Sequence, residues 1–285
     1  MKLAYIISMT RSGSTVLSAM LDQYKGVVSP PESSFPQILG AITKEERSDP
    51  RMLAALYHGA TFPPTQLNLA EAEECMQGSD EEILVALGKA VAVKLGRDPA
   101  ELKAVVWKSP KTIAMQEAPL ATSGRFIMLR RNPHNVYESQ FRITFGKKNR
   151  NPLRFALLRE SYEQAFSRLP KDRYMEVHYD DLPQVLPSIL EFIGAPDQGK
   201  WENHQSSLQL ASDTLGYMSE VTSEFVNRDA EKRARLNKLQ VGILECSMKL
   251  TRPLRPFLGP LRDHFDSESL KMIRERAMER LAAGK

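Results

Sequence analysis

The chain has 285 residues, 42% hydrophobic and 26% charged, which excludes disorder as the state of the whole chain and supplies enough apolar material for a large core. Its 15 glycines and 18 prolines are an average share, so collagen-like and low-complexity readings fall away. The formal charge of +4 is a small excess, better suited to one anionic ligand in a pocket than to a nucleic-acid coat. No run of about 18 apolar residues occurs, so no membrane span is expected and the cytoplasm is the expected location. Cys75 and Cys246 read as two reduced, half-buried thiols, with a disulfide left open. None of His58, His134, His178, His204 and His264 lies three to five residues from another, so no helix-spaced metal pair exists.

In chain order, Leu3–Ser8 is a short apolar run that ends in polar residues, the pattern of a buried strand entering a loop. Ser14–Tyr24 follows as a helix with Val16, Leu17, Met20 and Leu21 on one face, and Val27–Ser29 as a short strand closed by Pro30-Pro31. From Phe35 to about Leu102 the periodicity is helical, broken at Pro63-Pro64, with an apolar stripe at Ile83, Leu84, Leu87, Val91 and Leu95. Val105–Lys108 is a further strand, and Arg125–Arg130 carries Phe126, Ile127, Met128 and Leu129, a continuous apolar run suited to a central parallel strand. Pro133 opens a helix through about Phe145. Tyr174–Tyr179 is a strand, and Leu182–Ile193 a helix that stops at Gly194. Beyond Gly199 the chain is polar and helical, with a basic run at Arg228, Lys232, Arg233 and Arg235. Strands alternating with helices predict an α/β fold: a central parallel sheet flanked by helices on both faces. The expectation is one domain over residues 1–285, with a helical insert at about 36–102 and a helical C-terminal extension at about 199–285.

The loop Ser8-Met9-Thr10-Arg11-Ser12-Gly13-Ser14-Thr15 joins the first strand to the first helix. A Gly-containing turn before a helix N-terminus gathers unsatisfied N–H groups where the dipole favours an anion. Ser14 and Thr15 add hydroxyls, and Arg11 adds a permanent planar charge. The nucleotide-triphosphatase form of this loop needs Gly at position 8 and Lys at position 14; both are Ser here, which removes most support for an ATPase or GTPase.

Thr10-Arg11-Ser12-Gly13-Ser14-Thr15-Val16-Leu17 resembles the 5′-phosphosulfate loop of sulfotransferases that use 3′-phosphoadenosine 5′-phosphosulfate (PAPS), with Thr10 where tyrosylprotein-type and many bacterial members carry Pro. A second stretch, Leu129 to Ser139, matches the same family: a strand ending in Arg131, then Asn132-Pro133, then Ser139 eight residues after the Arg. The resemblance implies a P-loop-like sulfotransferase fold and binding of the donor's 3′-phosphate by Arg131 and Ser139. It assigns the other phosphate and the sulfuryl group to Arg11, Ser12, Gly13, Ser14 and Thr15. It also implies that Glu32, in Pro30-Pro31-Glu32-Ser33, is the base that deprotonates the acceptor. Lys108, in Trp107-Lys108-Ser109-Pro110-Lys111, would neutralise charge on the bridging oxygen. No metal is expected, because these cations and dipoles would do what Mg²⁺ does in kinases. The match covers about residues 3–35 and 104–193, and the acceptor, a small molecule or peptide, is not legible from it.

Weaker features carry blander readings. Asp180-Asp181 reads as a helix cap, His178 as a strand residue packed in or beside the sheet, and His134 as solvent-facing. Arg130 either supports the sheet edge or is solvated. Lys111 reads as surface or a distal phosphate contact, and Arg228–Arg235 either closes over the donor or is a solvated face. Two alternative functions stay open: a P-loop nucleotide or small-molecule kinase, and a non-catalytic nucleotide-binding module on the same fold.

Overall fold

The first apolar run forms β1 (Lys2–Ser8), the middle strand of the sheet in a computed structural model that describes residues 1–61, 67–108, 117–142, 150–201, 225, 227–258 and 267–283. The other strands are β2 (Val27–Val28), β3 (Ala104–Lys108), β4 (Arg125–Arg130) and β5 (Tyr174–His178). The order is β2-β3-β1-β4-β5, and every pairing is parallel. Ile6 is level with Lys108, Ser8 with Leu129, and Arg130 with His178, so the carboxyl ends of these strands line one edge.

The continuous apolar runs follow from burial on both faces. Leu3, Tyr5 and Ile7 of β1 join Val105, Trp107, Phe126 and Met128 in one core, while Ala4 and Ile6 join Val106, Ile127 and Leu129 in the other. The second core is covered by α1 (Ser14–Leu21) and α10 (Leu186–Phe192). The first is covered by the insert helices α2 (Phe35–Ile38), α3 (Lys44–Ser48), α4 (Pro50–Ala60), α5 (Leu69–Glu73) and α6 (Asp80–Lys94), together with later helices. Ile83, Leu84, Leu87 and Val91 of the predicted stripe are buried core, and Gly88 sits so close to β3 that an added Cβ would meet Val105 at 2.4 Å.

After β3 come α7 (Glu117–Ala121), α8 (Pro133–Arg142) and α9 (Pro152–Phe166). The α9 helix has no counterpart in the sequence reading, although its signal is local: Asn151 caps it by accepting from the amides of Leu153 and Arg154, and Pro152 takes the first turn. The C-terminal extension contributes α11 (Asp229–Ala234), α12 (Lys238–Thr251) and α13 (Ser267–Ala282), the last packed on α4. Residues 63–64 and 143–145, named above, and Lys111 lie outside the described residues.

Four readings need correction. The helix expected from Leu182 begins at Leu186, after a 3₁₀ turn at Tyr179–Asp181. Its N-cap is Val185, without a side-chain cap, so Asp180 and Asp181 do not cap it. Asp180 instead accepts from Asn227 Nδ2 at 2.9 Å. His178 is exposed on edge strand β5, its Nε2 3.4 Å from Glu176. His134 is half-buried rather than solvent-facing; its ring bonds Asn132 and lies 3.5 Å from Glu245, and burial lowers its pKa. Among the described residues no helix is long and apolar enough to cross a membrane.

The two thiols differ. Cys75 is buried, and burial, followed by the nearby Glu74 and Glu71 charges, pushes its pKa up to about 11; Cys246 is exposed on α12. A thiolate is the reacting species, so native protein should titrate with an aromatic disulfide reagent as one fast thiol, the second appearing on denaturation. Two fast thiols in the native state would contradict this burial.

Candidate active site

The sheet reverses its direction of winding at β1: the chain passes to β2 and β3 on one side, then crosses to β4 on the other. Open α/β sheets bind ligands outside the carboxyl ends of their strands at such a point. Every sequence-predicted site residue lies here, in the order of the strands. Glu32 follows β2, Lys108 ends β3, the loop Met9–Gly13 follows β1, and Arg131 follows β4.

The loop owes its shape to two left-handed residues, Arg11 (φ 75°) and Gly13 (φ 95°). Ser12 N–H donates to Met9 O at 3.1 Å, closing the turn. Gly13 is the N-cap of α1 and carries no side chain with which to occupy the first-turn amides of Ser14 and Thr15. The loop's carbonyls are taken from behind: Gln140 Nε2 donates to Thr10 O at 2.9 Å, and Arg131 Nη1 to Arg11 O at 3.1 Å. That bracing spends acceptors and leaves the donor-rich side of the turn for an anion. The Ser8 hydroxyl, fully buried beneath the loop, has no hydrogen-bond partner among the described residues.

On one flank, Lys108 Nζ lies 2.7 Å from Thr15 Oγ1 and 2.6 Å from Glu32 Oε2. The lysine side chain is 3% exposed and the glutamate side chain 39%. A buried cation therefore ties the loop to a carboxylate that still faces the open side. Among the described residues Glu32 neither caps a helix nor pairs with an arginine; its ion pair is with Lys108. Ser33 N–H contacts the Lys108 carbonyl at 3.4 Å, which holds the segment after β2 against the end of β3.

On the other flank, Arg11 Nε donates to Ser139 Oγ at 3.1 Å. Arg131 lies 4.0 Å above the Tyr179 ring, in cation–π range. The same ring lies against Gly13, where an added Cβ would meet Tyr179 Cε2 at 2.3 Å. Arg131 is thus on the loop's side of the molecule, but its main partner is Asp229, at 3.0 and 3.1 Å from Nε. Ser139 is joined to Arg11 rather than to Arg131. Arg130 points away and serves the edge, bonded to Glu163 and Glu176.

Three residues of this cluster, Tyr179, Asn135 and Asp229, carried no individual assignment in the sequence. Tyr179 and Asn135 lie inside matched stretches. Asp229 lies in the run at Arg228–Arg235, where the four cations Arg228, Lys232, Arg233 and Arg235 outnumber the two acids Asp229 and Glu231, and Lys232 belongs to those cations. Lys232 is half-buried; burial first, and then the charges of Arg131 and Arg11, lower its pKa. Among the described residues no cluster of three or more His, Cys, Asp or Glu could hold a metal ion.

A family model described as "Sulfotransferase family" matches residues 4–198. The chain is similar to the solved sulfotransferase domain of the Synechococcus PCC 7002 olefin synthase, at 22% identity over 88% of this chain and 94% of that one, with a TM-score of 0.48. It is also similar to the sulfotransferase domain from the curacin biosynthetic pathway (18% identity, 82% and 96% coverage, TM-score 0.43). A third similar structure is a sulfotransferase from Alicyclobacillus acidocaldarius (10% identity, 87% and 96% coverage, TM-score 0.42). The search of curated proteins found no match.

Proposed function

Because the chain belongs to the sulfotransferase family, we propose that it moves a sulfuryl group from PAPS to an acceptor hydroxyl or amine. The observation that carries this reading is the contact of Lys108 with both Thr15 and Glu32, which brings a loop hydroxyl, a buried cation and an accessible carboxylate to one point. The chain's groups fit a doubly phosphorylated nucleotide. The α1 N-terminus with Arg11, Ser12, Gly13, Ser14 and Thr15 supplies donors for one phosphate, and Arg131, with Ser139 and Lys232 near by, supplies charge for another.

In the proposed reaction the acceptor oxygen or nitrogen attacks sulfur as the bond to the 5′-phosphate oxygen breaks. The electron pair leaves with the phosphate, giving adenosine 3′,5′-bisphosphate, and the acceptor proton passes to the Glu32 carboxylate. Lys108, Arg11 and the loop amides stabilise charge growing on the leaving oxygen and the sulfuryl group. The insert and the C-terminal extension belong, in this reading, to the same domain and bound the acceptor space. The kinase alternative is weakened by Ser14, which stands where a P-loop needs its lysine.

Isothermal titration of the full chain with adenosine 3′,5′-bisphosphate tests the donor. Saturable binding of the bisphosphate, with ATP bound weakly or not at all, is expected. Binding of ATP without the bisphosphate would overturn the assignment in favour of a phosphotransferase.

A further inference from the structure

The planar fork of Arg131 is engaged by a carboxylate. Besides the two Nε contacts, its Nη2 donates to Asp229 Oδ1. Both side chains are almost fully buried, at 4% and 8% exposed. The carboxylate is held in turn: Asn135 Nδ2 donates to Asp229 Oδ2 at 2.5 Å, and the Asp229 amide donates to Asn227 Oδ1 at 2.9 Å. Guanidinium groups meet carboxylates and phosphates along the same pair of N–H directions. Asp229 therefore sits where a phosphate bound through Nε and Nη2 of Arg131 would sit. Two anions at that spacing, out of water, repel each other strongly, so one must leave.

We propose that Asp229 is an internal carboxylate latch on the 3′-phosphate subsite, displaced from Arg131 when the donor's phosphate arrives, so that donor binding releases α11. This rests on the reading of Arg131 as a phosphate ligand. The exchange is electrostatically matched. Releasing Asp229 takes a negative charge away, while Lys232, one turn along the same helix and already crowded by the positive charges of Arg131 and Arg11, gains the incoming phosphate as a partner. The same helix packs on α8, which carries Asn135 and Ser139, so its release would be felt at the two other groups that line this flank.

A latch lowers apparent affinity by the fraction of molecules in which it is closed, and a substitution that opens it recovers that loss. In titrations with adenosine 3′,5′-bisphosphate, Asp229→Asn is expected to bind about tenfold more tightly than the parent chain. Adenosine 5′-monophosphate, which has no 3′-phosphate, should show no such gain, and the gain should vanish in an Arg131→Ala background. Asp229→Ser carries the same expectation if the Asn variant fails to fold by circular dichroism. Normal binding by the parent with unchanged or weaker binding by the variants overturns the latch and makes Asp229 a positioning residue for Arg131. Absence of bisphosphate binding in parent and variants alike overturns the donor reading, and the latch with it.

Discussion

Glu32→Gln is expected to lower turnover by about 10²–10⁴-fold, the usual contribution of a positioned general base, while bisphosphate binding is retained. Two roles for this carboxylate predict opposite results. As the base, it accepts the acceptor's proton in the transition state, and its neutral isostere cannot. As a mere counter-ion to Lys108, 2.6 Å away, its loss would leave a more positive pocket that holds an anionic donor more tightly and stabilises the leaving phosphate at least as well. The exposure difference favours the first role: Lys108 is enclosed, whereas Glu32 keeps an open side from which an acceptor can approach. The pairing also has a use. A carboxylate fixed against a lysine points in one direction, and proton transfer needs donor and acceptor heavy atoms within about 2.6–3.2 Å. Steady-state kinetics with PAPS and a phenolic acceptor panel, beside titration of the bisphosphate, separates the roles. Undiminished turnover by the Gln variant would remove Glu32 as base and leave the family and fold untouched.

What the sequence disclosed and what it hid have distinct physical causes. Strands β1, β3 and β4 were legible because each is buried on both faces, so that its interior residues form a short continuous apolar run between polar ends. The candidates Arg11, Glu32, Lys108 and Arg131 stand out in the sequence through the family resemblance, and each lies at a strand's carboxyl end or in the loop just beyond it. The pairing between them was not legible. That Lys108 bridges Glu32 and Thr15, or that Ser139 reaches Arg11, depends on register between strands far apart in sequence, and single-chain spacing carries no register. Asp229 was hidden for a different reason. Its importance comes from Arg131, 98 positions away, and its immediate neighbours argue for a solvated basic face. The misjudged start of α10 has a local cause: Asp180 and Asp181 offer the side chains of a cap, but the chain makes a 3₁₀ turn there first.

Gly13→Ala is expected to be strongly destabilising, for two separable reasons. With φ at 95° the residue occupies backbone space that costs an L-amino acid about 1–2 kcal/mol. The added methyl would also lie 2.3 Å from Tyr179 Cε2 and 2.4 Å from Cδ2, so either the ring or the loop must move. Overpacking of that kind costs about 1–3 kcal/mol, and together the two effects amount to about 2–5 kcal/mol. Moving the ring is not neutral for the site, because the same ring lies under Arg131 and beside Phe225. Thermal unfolding should therefore fall by several degrees, and bisphosphate affinity should fall with it. Pairing the substitution with Tyr179→Ala distinguishes the causes: the double variant should recover the collision energy but not the backbone strain, giving a clear coupling in a double-mutant cycle. A Gly13→Ala protein that melts with the parent and binds the bisphosphate equally well would mean that the turn is looser than its contacts with Tyr179 require. The anion cradle would then have to be sought elsewhere along the sheet edge.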